Sequence, residues 1–244
     1  MALFSPGNPS LSDSTFRGLA REAGAGMTLQ GTVNKTGFAL LAVLAGATIT
    51  WNVEGPLVLV LVLVGLLGGF GLALATIFKK DWAPVTTLPY GFMEGLFLGG
   101  ISRMYEARTQ GVAVMAVGLT LAVLCAMLLA YTSRLIRVTE TFRMGVVTAT
   151  GGIALFYLVA FVMQLFGARM PLIHDATPLG ILFSLVVVGI AAMNLVLNFD
   201  LIERGAAGGA PRYMEWYGAF AMVVTLVWLY LELLRLLSKL RDRR

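Results

Sequence analysis

The last apolar stretch of the chain, Tyr213 to Leu240, carries charges inside a segment that is long enough to cross a lipid bilayer. A charged side chain in hydrocarbon costs roughly 3 kcal/mol, yet Glu232 stands among leucines. At helical spacing, one face of the stretch collects Thr225, Trp228, Glu232, Arg235 and Lys239. Other helices must therefore shield this stripe from lipid. Glu232 either pairs with Arg235 on its own helix near the membrane edge, or titrates in a protein-lined cavity.

The composition of the chain indicates a polytopic helical membrane protein. Its 244 residues are 58% hydrophobic and only 13% charged, whereas soluble proteins carry about 25% charged residues. The apolar runs are continuous rather than alternating, which argues against a β-barrel. A single cysteine, Cys125, and a single histidine, His174, argue against a thiolate cluster and a histidine-based zinc site. The net charge of +5 gathers beside the membrane segments, so it predicts topology rather than nucleic-acid binding.

Seven spans are expected in an all-α transmembrane bundle. Residues 1–36 form a polar or amphipathic N-terminal segment, 37–240 the seven-helix transmembrane domain, and 241–244 a basic tail. Within the first segment, 1–13 are expected to be disordered and 14–33 to include a short surface helix. The predicted spans are Gly37–Trp51, Leu57–Phe78, Leu88–Ser102, Val112–Tyr131, Val146–Phe166, Leu179–Phe199 and Ala219–Leu237. The first span is expected to act as the targeting signal.

Lys and Arg residues predict the orientation of the spans, because they are enriched in cytoplasmic loops. Ahead of the last helix, ten lie on the amino-terminal side and three on the opposite side, which favours a cytoplasmic amino terminus. The end of the chain disagrees. Seven crossings place the last basic residues outside: Arg235, Lys239, Arg241, Arg243 and Arg244. Either the rule fails for the last helix, or the third or last span crosses only in part.

Two stripes of small residues predict close helix packing. Gly91, Gly95 and Gly99 recur at every fourth position of the third span, as do Gly65, Gly69 and Ala73 in the second. Such stripes let helix backbones approach each other closely in lipid. They are therefore interpreted as packing surfaces rather than as a pore lined by backbone.

A few polar residues inside the spans are candidates for function. Glu94 follows Pro89 and either lies near water in the first turns of a helix, where the helix dipole favours it, or faces a lumen. Asn194 and Asn198 share one face of the sixth span and either join helices or line a pore, together with Thr225. Asp200 is either a solvated helix-end carboxylate or part of the site.

No enzymatic motif is present. The sequence contains no HExxH, G-x-S-x-G or Walker loop, and no GxGxxG followed by a soluble fold. Intramembrane proteolysis needs a Ser–His pair or two deep aspartates, and neither is evident. We therefore expect a protein that is not an enzyme and needs no cofactor.

Four stretches together resemble the Bax inhibitor family, in its bacterial YccA-like branch: MTLQGTVNKTGFALL, EGLFLGGIS, MNLVLNFDLIERG and YMEWYGAFAMVVTLVWLYLELLRLL. The resemblance covers about Met27 to Leu240 and implies a bundle in which six helices surround the last. It also implies a pH-sensitive calcium leak channel or, among bacterial members, a modulator of a membrane-bound protease. The family's pH sensor is a pair of aspartates. Glu232, in LYLE, takes the place of one, and Asn198, in LNFD, takes the place of the other.

This departure leaves Glu232 without a second acid unless Asp200 takes that role. Two carboxylates that share a proton sense pH through their mutual repulsion, and an amide does not. A direct contact between Asn198 and Glu232 also requires residues 205–220 to lie flat on the membrane or the last helix to enter obliquely.

The resulting hypothesis is a cation leak channel, with Ca²⁺ as the first expectation, in the bacterial inner membrane. Its pH-sensing residues are Glu232, Asp200, Asn198 and Arg235. The alternatives are a non-conducting regulator that binds a membrane protease through its tail and loops, and a proton-coupled transporter.

Overall fold

The computed structural model describes residues 26–167 and 176–243, which contain seven α-helices and no strand longer than a single bridge. The helices are α1 (Leu29–Asn52), α2 (Leu57–Phe78), α3 (Ala83–Arg108), α4 (Val112–Thr132), α5 (Glu140–Leu165), α6 (Pro178–Ala207) and α7 (Met214–Asp242). Six of them, all except α3, are long and apolar enough to cross a membrane. The predictions for residues 1–13 and for His174 lie outside the described residues, and residues 29–33 of the predicted surface helix form the start of α1.

Local capping chemistry explains where several helices begin. Thr28, Thr139 and Thr177 precede α1, α5 and α6, and each accepts a hydrogen bond from the backbone N–H three residues later. Such a cap satisfies one of the four N–H groups that a helix start leaves unpaired. Between α3 and α4 the chain turns at Gly111, whose φ of 78° suits glycine. These polar residues therefore fix the boundaries between the apolar runs.

Helix α3 is longer than the sequence predicted. It has 26 residues, which corresponds to about 39 Å. Its first turns contain polar residues that satisfy themselves locally, because Thr87 donates to the Ala83 carbonyl at 2.7 Å. The apolar pattern alone did not reveal this start. Glu94 is thus in the middle of α3 rather than in its first turns, which corrects the near-water interpretation.

The side-chain contacts of α7 define the direction of the helices around it. Lys35, early in α1, pairs with Glu215, early in α7, so these two helices run parallel. Helix α6 is antiparallel to α7, because Asn198 contacts Thr225 and Ser184 contacts Lys239. We call the side where α1 and α7 begin the near side, and the side where both end the far side.

The far-side position of the α7 end bears on the disputed orientation of the last helix. Helices α3 and α7 are continuous over 26 and 29 residues, and both are longer than the roughly 30 Å hydrocarbon core. Both helices are therefore long enough for a full crossing, but α3 is not among the helices that are apolar enough to be candidate spans. Two of the basic residues that upset the charge count, Arg235 and Lys239, bind groups within the bundle, and Arg241 donates to the Gln110 carbonyl at the surface.

The small-residue stripes lie where backbones meet, as predicted. A Cβ at Gly91 would stand 2.7 Å from the Ala39 carbonyl oxygen of α1, and one at Gly65 would stand 2.6 Å from the Met93 carbonyl oxygen of α3. Added methyl groups at Gly95 and Gly99 would collide with the α1 backbone in the same way. Helix α3 consequently packs most extensively against α1 and α2.

Helix α7 supplies much of the buried core. Of its most apolar window, 67% is buried, compared with at most 39% in the other five candidate spans. It packs against α6, α1, α3 and α4, whereas α2 packs mainly against α3. Large side chains that are almost fully enclosed include Tyr217, Phe220, Leu229 and Leu234. The predicted shielding of α7 is thus achieved mainly by four neighbouring helices.

The connection between α6 and α7 is short and does not form a flat interfacial segment. Helix α6 continues to Ala207 and α7 starts at Met214. The intervening turn pairs with the beginning of the described chain, since the Met27 N–H donates to the Ala210 carbonyl at 2.6 Å. The oblique route that would bring Asn198 to Glu232 is therefore absent.

Candidate functional site

The buried carboxylate of Glu232 forms the centre of the candidate site. Glu232 is 2% exposed. The Arg235 guanidinium donates to both of its carboxylate oxygens, at 3.1 and 2.9 Å, and the Tyr157 hydroxyl donates to Oε1 at 2.8 Å. Arg235 also donates to the Tyr157 hydroxyl at 2.7 Å. The three side chains, which we call the Glu232 cluster, thus form a closed ring of hydrogen bonds.

Two helices hold the Glu232 cluster in place. Glu232 and Arg235 stand three residues apart on α7, a spacing that puts both on one face. Tyr157 comes from α5, and its ring stands edge-on to that of Phe183 of α6, with centroids 6.4 Å apart. The local Glu232–Arg235 pair considered from sequence therefore forms, but it includes a partner from another helix and its carboxylate is fully enclosed. A buried ion pair of this kind leaves an uncompensated charge when either member is removed.

Asn198 does not contact Glu232. Its Nδ2 donates to the Thr225 hydroxyl at 2.7 Å, and Thr225 lies seven residues before Glu232, about 10 Å along the helix axis. This separation follows from two straight antiparallel helices. The amide nevertheless joins α6 to α7, as the structural interpretation of this residue expected.

Two amide oxygens on α6 are buried without a hydrogen-bond partner among the described residues. Asn194 donates from Nδ2 to the Thr150 hydroxyl at 2.8 Å and to the Ile190 carbonyl at 2.9 Å, but its Oδ1 has no donor. The Oδ1 atom of Asn198 is likewise buried and accepts no hydrogen bond from the described residues. The two residues are one helical turn apart, and each unsatisfied acceptor costs roughly 1–3 kcal/mol. Such groups call for an explanation such as water or an ion.

Asp200 belongs to a separate cluster at the near side. Its carboxylate pairs with Arg143 of α5 at 3.2 Å and with Arg204 one turn later on α6. Arg143 is itself buried and also pairs with Glu140 at 3.3 Å. The structure thus divides the predicted sensing residues between the Glu232 cluster, the Asn198–Thr225 bond and this near-side group. Asp200 is neither a solvated carboxylate nor a partner of Glu232.

Glu94 lies at the contact between α2 and α3. A Cβ at Gly69 of α2 would stand 3.1 Å from its Oε1. None of the hydrogen bonds of the Glu232 cluster reaches it. Glu94 was predicted to line the same pore as Asn194 and Thr225. No contact among the described residues supports that prediction.

Sequence reasoning missed several partners of the candidate residues. Tyr157 is a single polar group in an apolar run, and the sequence holds no signal that pairs it with α7. Lys239 was noted only as part of the stripe, but it is 3% exposed and donates to the Ser184 hydroxyl at 3.0 Å. Arg143 was counted as a loop charge, although it is 6% exposed. In each case the missing information is which helices are neighbours.

The fold and the buried ion pair define a multi-pass helical membrane protein with an ionisable site inside its bundle. The chain belongs to the Bax inhibitor family: a sequence model described as Bax inhibitor 1 like matches residues 8–242. The comparison with curated proteins found no match. The family suggested by the resemblance is therefore confirmed over nearly the whole chain.

Proposed function

We propose that this protein is a pH-sensitive cation leak channel of the bacterial inner membrane, with Ca²⁺ as its main permeant ion. The Glu232 cluster is the observation that supports the proposal most. Ionisable residues inside membrane segments are costly and usually mark ion or proton pathways. Glu232 is enclosed in the most buried helix and is held by groups that depend on its charge.

The charge of Glu232 would control the gate. Arg235 on α7 and Tyr157 on α5 both donate to the ionised carboxylate. Protonation removes the negative charge that holds Arg235, so the hydrogen-bonded ring opens. Helix α7 then repacks against α5 and α6. One carboxylate is sufficient for this switch, because its counter-charge is an arginine rather than a second acid.

The unsatisfied amide oxygens supply a path that an ion could follow. Asn194 and Asn198 stand one turn apart on α6, between the Glu232 level and the near-side group around Asp200. Oxygen atoms are the ligands that Ca²⁺ prefers, and conduction requires only weak binding at successive sites. In this proposal, water and passing cations satisfy these oxygens in the open state.

Ca²⁺ flux into dye-loaded proteoliposomes, measured from acidic to neutral pH, tests the proposal. Native protein and Glu232→Gln are compared, with Glu203→Gln as a matched control on the near-side surface. We expect a pH-dependent flux in the native protein and in the control, and a flux without pH dependence in Glu232→Gln. An unchanged pH profile in Glu232→Gln would exclude this residue as the sensor.

Absence of flux from all three proteins would reject the channel. The family's other role, a non-conducting regulator of a membrane-bound protease, would then take its place. That role predicts that removal of residues 1–26 affects the stability of the protease in cells more than Glu232→Gln does.

A further inference from the structure

An apolar groove runs along the outside of the bundle between α1 and α4. It has a volume of about 450 Å³ and is lined by side chains from four helices. The exposed side chains of its two walls include Leu44, Thr48 and Trp51 of α1 and Val114, Val117 and Leu121 of α4. Helices α3 and α7 form its floor, where the Ser102 and Tyr230 hydroxyls bond to each other at 2.6 Å. The groove is separate from the Glu232 cluster, whose residues do not line it.

The groove exists because α1 and α4 both pack on α3 and α7 and leave a gap between them. The glycine stripe of α3 draws α1 inward, and small residues such as Ala113 and Ala116 draw in the start of α4. Both outer helices belong to the candidate spans. The gap therefore faces the hydrocarbon of the bilayer and not water.

The groove has the length of one leaflet. Its α1 wall extends from Leu40 to Trp51, and eleven helical steps correspond to about 16 Å. Half of the hydrocarbon core is roughly 15 Å. Because α1 ends at Asn52 on the far side, the groove occupies the far-side leaflet. An acyl chain that enters from that leaflet fits its length.

A cationic group stands where the groove meets the far-side surface. Arg241 is eleven residues beyond Tyr230 on α7, three turns further along the same face. It donates to the Gln110 carbonyl and lies 3.3 Å from the Met115 sulfur, at the start of the α4 wall. Both acceptors are neutral, and no carboxylate among the described residues pairs with this guanidinium. Arginine has five N–H donors and favours phosphate.

We propose that the groove is a specific site for one phospholipid of the far-side leaflet, with an acyl chain between α1 and α4 and the phosphodiester at Arg241. The occupant is a phospholipid rather than a second copy of the chain, because the groove is as long as one leaflet and the guanidinium of Arg241 at its far-side end pairs with no carboxylate among the described residues. The site is independent of the cation leak, so either proposal can fail without the other.

Native mass spectrometry of protein purified and washed in detergent tests this site. We expect the native protein to retain one phospholipid per chain. Leu44→Trp and Val117→Trp fill the groove and should each reduce the retained fraction severalfold. Leu41→Trp and Leu119→Trp place the same ring on exposed positions of the same helices, outside the groove, and should retain the lipid. Arg241→Gln should also reduce retention severalfold.

Several results would overturn the proposal. These are no retained lipid in the native protein, equal retention in the groove and control variants, retention of a free fatty acid instead of a phospholipid, and a dimer mass that disappears only in the groove variants. Thermal unfolding of each matched pair shows whether a loss reflects misfolding. If only one groove variant unfolds early, the other and Arg241→Gln decide the outcome.

Discussion

At the residue scale, the Tyr157 hydroxyl couples α5 to the charged pair on α7. It donates to the Glu232 carboxylate and accepts from Arg235, so it satisfies both members of an ion pair that has little contact with water. A hydrogen bond to a charged group contributes about 1.5–3 kcal/mol. The hydroxyl therefore stabilises the ionised form of Glu232 and, in the proposed mechanism, sets the pH at which the gate opens.

Tyr157→Phe should move the pH midpoint of Ca²⁺ flux away from that of the native protein. The substitution removes one of the donors that hold the Glu232 carboxylate. The measurement is the proteoliposome flux at a series of pH values, compared with the native protein.

Tyr230→Phe is the matched control for that change. Tyr230 is on α7, and its hydroxyl bonds to Ser102 and not to the Glu232 cluster. The pH midpoint of Ca²⁺ flux in Tyr230→Phe should equal that of the native protein. If the two variants shift the midpoint equally, the effect comes from a general loosening of the helices rather than from the charge of Glu232.

The polar stripe of α7 could be predicted from sequence, but its partners could not. The helical period places Glu232 on the polar face of α7, and the cost of a charge in lipid requires that face to be shielded. Both arguments depend only on the local sequence. Tyr157 is 75 positions away, and nothing local distinguishes it from a tyrosine that packs as a hydrophobe. Whether Asn198 meets Glu232 stayed open in the sequence. The structure settles it, because two continuous antiparallel helices bring Asn198 to Thr225 instead.

At the element scale, glycine determines how α1 and α3 meet. Gly95→Ala should destabilise the protein by about 1–3 kcal/mol, since the new methyl group collides with the Val43 carbonyl and the Ala47 amide of α1. The colliding atoms are backbone, so a side-chain rotation cannot relieve the contact. Thermal unfolding in detergent measures the change.

Gly118→Ala provides the comparison. Gly118 is in α4, and no atom lies within 4 Å of an added Cβ there. Alanine removes conformational freedom from the unfolded chain and should leave stability unchanged or raise it by up to about 1 kcal/mol. Similar unfolding temperatures for the two variants would show that the α1–α3 contact is not held by the glycine stripe.

The order of the helices follows from apolar length and turn residues, although α1 begins at Leu29 and α5 at Glu140, six to eight residues ahead of the predicted spans. Helices α2 and α4 begin at the predicted residues, because Pro56 and Gly111 interrupt the apolar pattern just before them. Helix α3 was underestimated, since its threonines satisfy their hydroxyls within the helix and thereby remain compatible with burial. A hydropathy value depends only on the residue type, so it counts these threonines as polar even though their hydroxyls are satisfied within the helix.

At the scale of the whole molecule, one ion pair ties the first helix to the last. Lys35 pairs with Glu215, whose carboxylate also accepts from the Thr28 amide at 2.9 Å and the Thr28 hydroxyl at 2.8 Å. The side chains of the pair are only 15% and 4% exposed. Each member therefore depends on the other for its burial.

Lys35→Met should destabilise the protein by about 3–5 kcal/mol, because it leaves the Glu215 charge enclosed without its cation. The double variant Lys35→Met/Glu215→Gln should be more stable than the sum of the single changes predicts, since no charge then remains. A double-mutant cycle of unfolding free energies measures this coupling.

The pair of Arg103 with Glu54 serves as the reference for that cycle. Its members are 32% and 87% exposed, and removal of a solvated pair costs about 0–1 kcal/mol. Equal coupling in the two cycles would mean that the Lys35–Glu215 pair is effectively solvated, contrary to its burial.

The way in which the helices pack could not be predicted from composition. The apolar pattern predicted seven spans, of which six are long and apolar enough to cross a membrane, but the order of neighbours depends on contacts between residues that are far apart in the chain. The requirement that α7 be enclosed was a sound physical argument, and it explains why this helix is the most buried of the candidate spans. It did not indicate that α2 would lie behind α3.

The pairing of the first helix with the last has a consequence for biosynthesis. The chain leaves the ribosome from its amino end, so Lys35 enters the membrane long before Glu215 has been made. Asn198 and Ser184 likewise lack their α7 partners, Thr225 and Lys239, until the final segment is inserted. The translocon or a membrane chaperone must therefore tolerate an open intermediate with polar side chains, and insertion of α7 is the event that supplies their partners.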